Sequence, residues 1–206
     1  MQRKQPNKPR RASAPPPRPR TSMQALIVGT NGTGKTTYLL QTLSAVSKSR
    51  RAIVVDYDNA EKAWQPFDEL DLSDRDAVAS FTGIRRVNWA LHEDESLSLI
   101  KKYYRNGILV LDDCRTYLKS SLEDQLHQLL IRRRQYMLDV FAVAHSFQDI
   151  PPRFFQFTTH VVLFRITRPL DDRKKMLANP ASVAEALARI DAKSKTNPHY
   201  FELIKF

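Results

Sequence analysis

One short stretch restricts this chain more than any other: Gly29-Thr30-Asn31-Gly32-Thr33-Gly34-Lys35-Thr36, followed by Thr37. It fits the pattern G-x-x-x-x-G-K-[ST], a Walker A loop, and its flanks have the character the pattern needs. Ala25 to Val28 is a short apolar run that reads as a buried strand. Thr37 to Leu43 repeats apolar residues at helical spacing. A strand, a glycine-rich turn and a helix aim consecutive backbone N–H groups and a helix N-terminus at one point, which suits a polyphosphate. Three of the five glycines in the chain fall in this loop. Gly29 to Thr37 are therefore the expected nucleotide contacts.

At 206 residues the chain is long enough for one well-buried domain. Its charge is uneven. The formal net charge is +11, yet residues 1–22 hold seven basic residues, six of the twelve prolines and no acid. That segment is expected to be a disordered or polyproline-like basic tail, with residues 23–206 as the folded domain. A basic arm suits nucleic acid or an acidic partner; a solubilising arm has the same composition. Cys114 is the single cysteine, so an internal disulfide is excluded. No apolar run reaches the roughly 18 residues of a membrane span, so an integral membrane segment is not expected and a soluble protein is.

Further along, Arg51 to Val55 reads as a strand ending at Asp56, where a carboxylate is either a ligand contact or a turn cap. Residues 60–92 give no clear pattern; Arg85, Arg86 and Trp89 suit either a base-stacking site or a buried indole with a basic rim. Asp94 to Tyr104 predicts a helix capped at Asn106-Gly107. Ile108 to Leu111 then forms an apolar strand ending in Asp112-Asp113, the pattern by which phosphate-loop proteins hold magnesium (a Walker B strand). A helical stripe runs from Leu118 to Tyr136 and carries Arg132, Arg133 and Arg134 at its end, where cations complement the helix dipole or reach a neighbouring subunit. Val140 to Ala144 is another buried strand, with His145 at its end. His160 to Phe164 is a strand, followed by basic residues Arg165, Arg168, Arg173, Lys174 and Lys175; Asn179-Pro180 opens a last helix, and Tyr200 to Ile204 an edge strand. The sum is an α/β protein with a central, mostly parallel sheet and helices on both faces, a RecA-like P-loop NTPase fold.

The order of these features resembles the FtsK–HerA superfamily of DNA-pumping ATPases, and its compact viral genome-packaging members in particular. The discriminating part is Arg132 to Pro151, in which an arginine-bearing helix leads into a strand ending His145-Ser146-Phe147-Gln148-Asp149-Ile150-Pro151. The resemblance implies ATP and Mg²⁺ as cofactors. Lys35 would hold the β- and γ-phosphates, and Thr36 and Asp112 the metal. Asp113 would stand where the family carries a glutamate that polarises water, and His145 where it carries a sensor. One of Arg132, Arg133 and Arg134, with Arg133 preferred, would act as an arginine finger in the next subunit. The implied function is an ATP-hydrolysing translocase that packages a double- or single-stranded DNA genome into a capsid, in the virion or the host cytoplasm. Its partners would be DNA, identical subunits in a ring, and a capsid or portal-vertex protein. A filamentous-phage-type assembly ATPase and a small P-loop kinase are the alternative readings.

Overall fold

The computed structural model describes residues 22–57, 61–115, 122–167 and 172–206. The basic tail, Asp58, Asn59, Leu118 and Arg168 lie outside the described residues; Ser22, at the tail's border, is buried. Seven strands form one sheet: β1 (Gln24–Val28), β2 (Arg51–Asp56), β3 (Ile84–Asn88), β4 (Gly107–Leu111), β5 (Leu138–Ala144), β6 (His160–Leu163) and β7 (Glu202–Lys205). Their order is β3-β2-β4-β5-β1-β6-β7. Every neighbouring pair is parallel except β6 and β7, so the mostly parallel sheet expected from the sequence is found.

Residues alternate between two cores along the central strands. Ala25 and Ile27, Ala52 and Val54, Ile108 and Val110, and Phe141 and Val143 face α1 (Lys35–Val46) through Leu39 and Leu43. Leu26 and Val28, Ile53 and Val55, and Leu109 and Leu111 face the other way. That second core also takes side chains from α2 (Arg75–Ser80), α3 (Ser96–Tyr103), α4 (Glu123–Tyr136), α5 (Pro152–Phe155) and α6 (Pro180–Lys193). Burial on both faces is why β1, β2, β4 and β5 read as continuous apolar runs rather than alternating ones. Both faces carry helices, very unequally.

Three local expectations change. First, Gly107 does not cap α3; it opens β4, and a Cβ there would fall 2.0 Å from the Tyr104 hydroxyl. That hydroxyl donates to the carbonyls of Arg51 and Ile108 and ties β2 to β4, so the glycine is needed for close approach rather than for a turn. Asn106, at φ 52°, makes the turn before it. Second, Arg85 and Arg86 belong to β3, an edge strand not foreseen, and Trp89 is 2% exposed, the buried-indole alternative. Third, α3 begins at Ser96, two residues later than expected, after a 3₁₀ turn at Glu93–Glu95. The caps at Asn179 and Pro180 are found: Asn179 Oδ1 accepts from the Ser182 amide and Pro180 opens α6.

Candidate active site

The topology puts the ends of β1, β4 and β5 side by side. β1 runs into the loop, β4 into Asp112-Asp113 and β5 into His145, all at the carboxyl edge of a parallel sheet, where such folds bind ligands.

The loop holds its shape through its glycines. Gly32 and Gly34 sit at φ 74° and 99°, a left-handed region that costs a side chain dearly. Gly29 is needed for a different reason: a Cβ there would lie 2.5 Å from the Phe164 Cβ and 2.9 Å from Thr33 Oγ1. Gly29→Ala is therefore expected to destabilise the fold by about 1–3 kcal/mol through overpacking; a denaturant midpoint unchanged from wild type would show that Phe164 yields freely. The Gly29 amide donates to Ala144 O, and the Thr30 amide and hydroxyl to Arg165 O. These two residues thus anchor the loop to its neighbours, and their amides are already engaged.

Lys35 opens α1 and turns back over the loop. Its ammonium donates to Gly29 O at 2.7 Å and Thr30 O at 3.1 Å and lies 3.4 Å from His145 Nδ1. Burial pulls the Lys35 pKa below its ordinary value, while the charges of Asp112, Asp113 and Glu61 oppose the shift. The carboxylates at the end of β4 therefore face the loop. His145 Nε2 stands 3.9 Å from Asp113 Oδ1, so Lys35, His145 and Asp113 form one cluster across three sequence-distant elements. Asp113 has φ 42°, a left-handed conformation that aspartate tolerates better than most residues. Strain of this kind collects at functional sites.

Asp112 is held more tightly than its neighbour. Its Oδ2 accepts from Trp64 Nε1 at 2.7 Å and its Oδ1 from the Asp113 amide at 3.1 Å. Burial pushes its pKa up; those two hydrogen bonds push it down, and the charges of Glu61 and Asp56 add to the upward shift. The nearby charges of Glu61 and Asp56 mean that a cation beside Asp112 would favour its ionised form. Thr36 in the first turn of α1 offers an oxygen donor of the kind magnesium prefers and Asp112 a carboxylate for the ion's water shell, and the remaining ligands would be phosphate oxygens and water. The residues fit the ion. Both Asp112 oxygens already accept a hydrogen bond, which suits a carboxylate that holds the ion's water shell.

Sequence reasoning missed Trp64, which lies in the unpatterned stretch and is fully buried. Its one signal was an isolated large apolar residue among charges. Asp56 is buried and accepts from the Glu61 amide, the turn-capping alternative, while it adds its charge to the acidic cluster. Asp149 is another positioning residue: it accepts from Ser146 Oγ at 2.7 Å and pairs with the exposed Arg115. These three, with Thr30, Asn31 and Arg165, border an open cleft of about 560 Å³ beside His145.

Arg133 is not brought to this site. It is 4% exposed, donates to Leu130 O at 2.8 Å and lies over the Phe157 ring at 5.5 Å. It sits at the end of α4, which leads into the start of β5 at the opposite edge of the sheet. Its neighbours Arg132 and Arg134 are exposed. Cys114, by contrast, is fully buried directly behind Asp113, and burial and the three adjacent carboxylates raise its thiol pKa. Alkylation of Cys114 is expected only after unfolding; rapid modification of the native chain by iodoacetamide would show that this region opens.

The sheet order, the loop and the paired carboxylates define a P-loop NTPase fold. Comparison with known proteins agrees. Residues 10–81 match the family described as the type IV secretion-system coupling protein DNA-binding domain. Among solved structures, B204, the DNA-packaging ATPase from Sulfolobus turreted icosahedral virus, superposes with a TM-score of 0.66 at 14% identity, over 89% of this chain and 92% of that one. The genome-packaging NTPase B204 from Sulfolobus turreted icosahedral virus 2, in complex with AMPPCP, gives 0.64 at 18% identity and the same coverage. Thermomonospora curvata EccC (ATPases 2 and 3), in complex with a signal sequence peptide, gives 0.51 at 14% identity, over 77% of this chain and 32% of that one. No curated protein sequence matches significantly. The resemblance expected from the order of motifs is thus met, and at these identities it is a likeness of fold. No described helix is long and apolar enough to cross a membrane.

Proposed function

We propose that this chain is an ATP-hydrolysing DNA translocase that acts as a homo-oligomeric ring and packages a viral DNA genome. The observation that carries the reading is the cluster of Lys35, His145 and Asp113, which joins the phosphate loop to the ends of β4 and β5. In this reading the loop amides and Lys35 cradle the triphosphate. Asp113 orients the attacking water and takes its proton, and His145 contacts the γ-phosphate. The bond between the γ-phosphorus and the β-bridging oxygen breaks, and ADP and phosphate leave. Thr36 and Asp112 would hold Mg²⁺, which supplies neutralising charge to the phosphate oxygens when bound.

Asp113 is shorter than the glutamate of the family it resembles, and His145, 3.9 Å away, would be a second polar neighbour for the water. A finger in trans falls to exposed Arg132 or Arg134, since the burial of Arg133 argues against that residue. Support for DNA as partner comes from the matched coupling-protein domain, the packaging role of the two B204 proteins and the net charge of +11. A capsid or portal-vertex protein would anchor the ring, in the virion or the infected cytoplasm.

The test is hydrolysis by the purified chain at rising protein concentration, with and without double-stranded DNA. Turnover per subunit should rise with both, and DNA binding should weaken steeply with salt. Turnover that is independent of protein concentration and indifferent to DNA would reject the ring translocase.

A further inference from the structure

The acidic residues and His145 define only one end of the phosphate loop. Asp112, Asp113 and His145 end β4 and β5, on one flank of β1; β6 and β7 lie on the other. In the phosphate-loop reading, a triphosphate whose terminal phosphate faces Asp113 would have its opposite end on the side of β6 and β7. At that place the chain builds a slot. It measures about 270 Å³, and its lining includes Gly34, Thr37, Gln41, Phe164, His199 and Phe201.

The walls of the slot are aromatic and well braced. Phe201 stands edge-on to Tyr38 at 5.0 Å between ring centroids and 5.2 Å from Phe164. The pairing of Leu163 with Glu202 sets Phe164 and Phe201 side by side at the ends of β6 and β7. Phe201 stays 39% exposed, so part of its ring surface is open at the slot. His199 lies against the loop itself: a Cβ on Gly34 would come within 3.3 Å of its Nδ1. The segment between them is tied down. The His199 amide donates to Asn197 Oδ1, Lys193 Nζ to the Tyr200 hydroxyl, and Arg189 pairs with Glu202 at 2.7 Å. Thr37 and Gln41, one turn apart on α1, add a hydroxyl and a carboxamide at the rim.

We propose that this slot holds the nucleobase of the bound nucleotide, stacked against Phe201 and His199, with Thr37 and Gln41 beside the ribose. The proposal rests on the phosphate-loop reading of Gly29–Thr36. Aromatic faces bind any base through its π-surface, so the slot adds affinity for a nucleoside without strongly choosing among purines.

Calorimetric titration of the full chain with Mg-ATP and with inorganic tripolyphosphate separates the two layers. Wild type should bind ATP at least tenfold more tightly than tripolyphosphate. Phe201→Ala and His199→Ala should each weaken ATP roughly tenfold, within the range for loss of one stacking partner. Tripolyphosphate affinity should not change, which also shows that the variants are folded, and Phe201→Trp should keep ATP affinity. ATP binding within twofold of wild type in both alanine variants would overturn the proposal, as would equal losses for ATP and tripolyphosphate. A wild-type chain that binds tripolyphosphate but gains nothing from the nucleoside overturns the slot alone. One that binds neither ligand overturns the phosphate-loop reading and the slot with it.

Discussion

Replacing Lys35 with alanine is expected to lower ATP hydrolysis about a thousandfold, the scale on which a preorganised charge at a phosphoryl-transfer site acts. Lys35 is the cation that hydrogen-bonds to the loop, lies 3.4 Å from His145 and feels the charges of Asp112 and Asp113. Without it, the bound triphosphate would lose the ammonium that stands between the loop carbonyls and His145. The substitution removes hydrogen bonds to Gly29 O and Thr30 O as well, so a collapsed loop is the competing explanation. The loop has independent anchors, however, in the Gly29 amide on Ala144 O and the Thr30 amide on Arg165 O. The melting temperature should therefore stay within a few degrees of wild type while turnover disappears. Retained hydrolysis in Lys35→Ala would show that the Lys35–His145–Asp113 cluster is not the reacting centre. Loss of activity together with a large drop in melting temperature would assign Lys35 to loop structure instead.

How much of this was legible depends on where each residue gets its constraint. β1, β4, β5 and β6 were readable because parallel strands buried on both faces need unbroken apolar runs, and because Asp113 and His145 follow such runs directly. β3 was not, because an edge strand satisfies fewer apolar positions. In Ile84-Arg85-Arg86-Val87-Asn88 only Ile84 and Val87 are buried. Arg86 pairs with Glu69 at 2.7 Å and Arg85 with Asp68 at 3.5 Å, contacts set by tertiary structure. The arginines of α4 could not be told apart in the sequence for a related reason. Three consecutive cations look equivalent in sequence, but the helix turns about 100° per residue, and packing against Phe157 selects Arg133 for burial. Gly107 shows the same limit at a single position: its role is to admit the Tyr104 hydroxyl, a side chain three residues earlier whose own path depends on the sheet.

Trp64 is the clearest case of a residue at the candidate site whose sequence signal is no more than one large apolar side chain among charges, and the second large effect is expected there. Its ring is fully buried on the α1 face of the sheet, and its N–H reaches Asp112 Oδ2 at 2.7 Å. Trp64→Ala removes both roles; the cavity alone should cost about 3–5 kcal/mol, and the melting temperature should fall by roughly 10 °C. Trp64→Phe separates them, since it keeps most of the volume and deletes the donor. That donor holds the Asp112 pKa down against burial, so its loss moves the pKa further up. Hydrolysis requires ionised Asp112 in this reading. The acid limb of the pH–rate profile should accordingly shift to higher pH, because activity on acidification is lost once Asp112 takes a proton. A partner that orients a metal-site carboxylate is typically worth 10–100-fold in metal affinity or activity, so half-saturation in Mg²⁺ should rise about tenfold. A shift in pH limb and magnesium requirement together, with stability near wild type, identifies Trp64 as the residue that poises Asp112 for the ion. If Trp64→Phe leaves both unchanged, the indole only fills space, and the hydrogen bond to Asp112 has no part in the reaction.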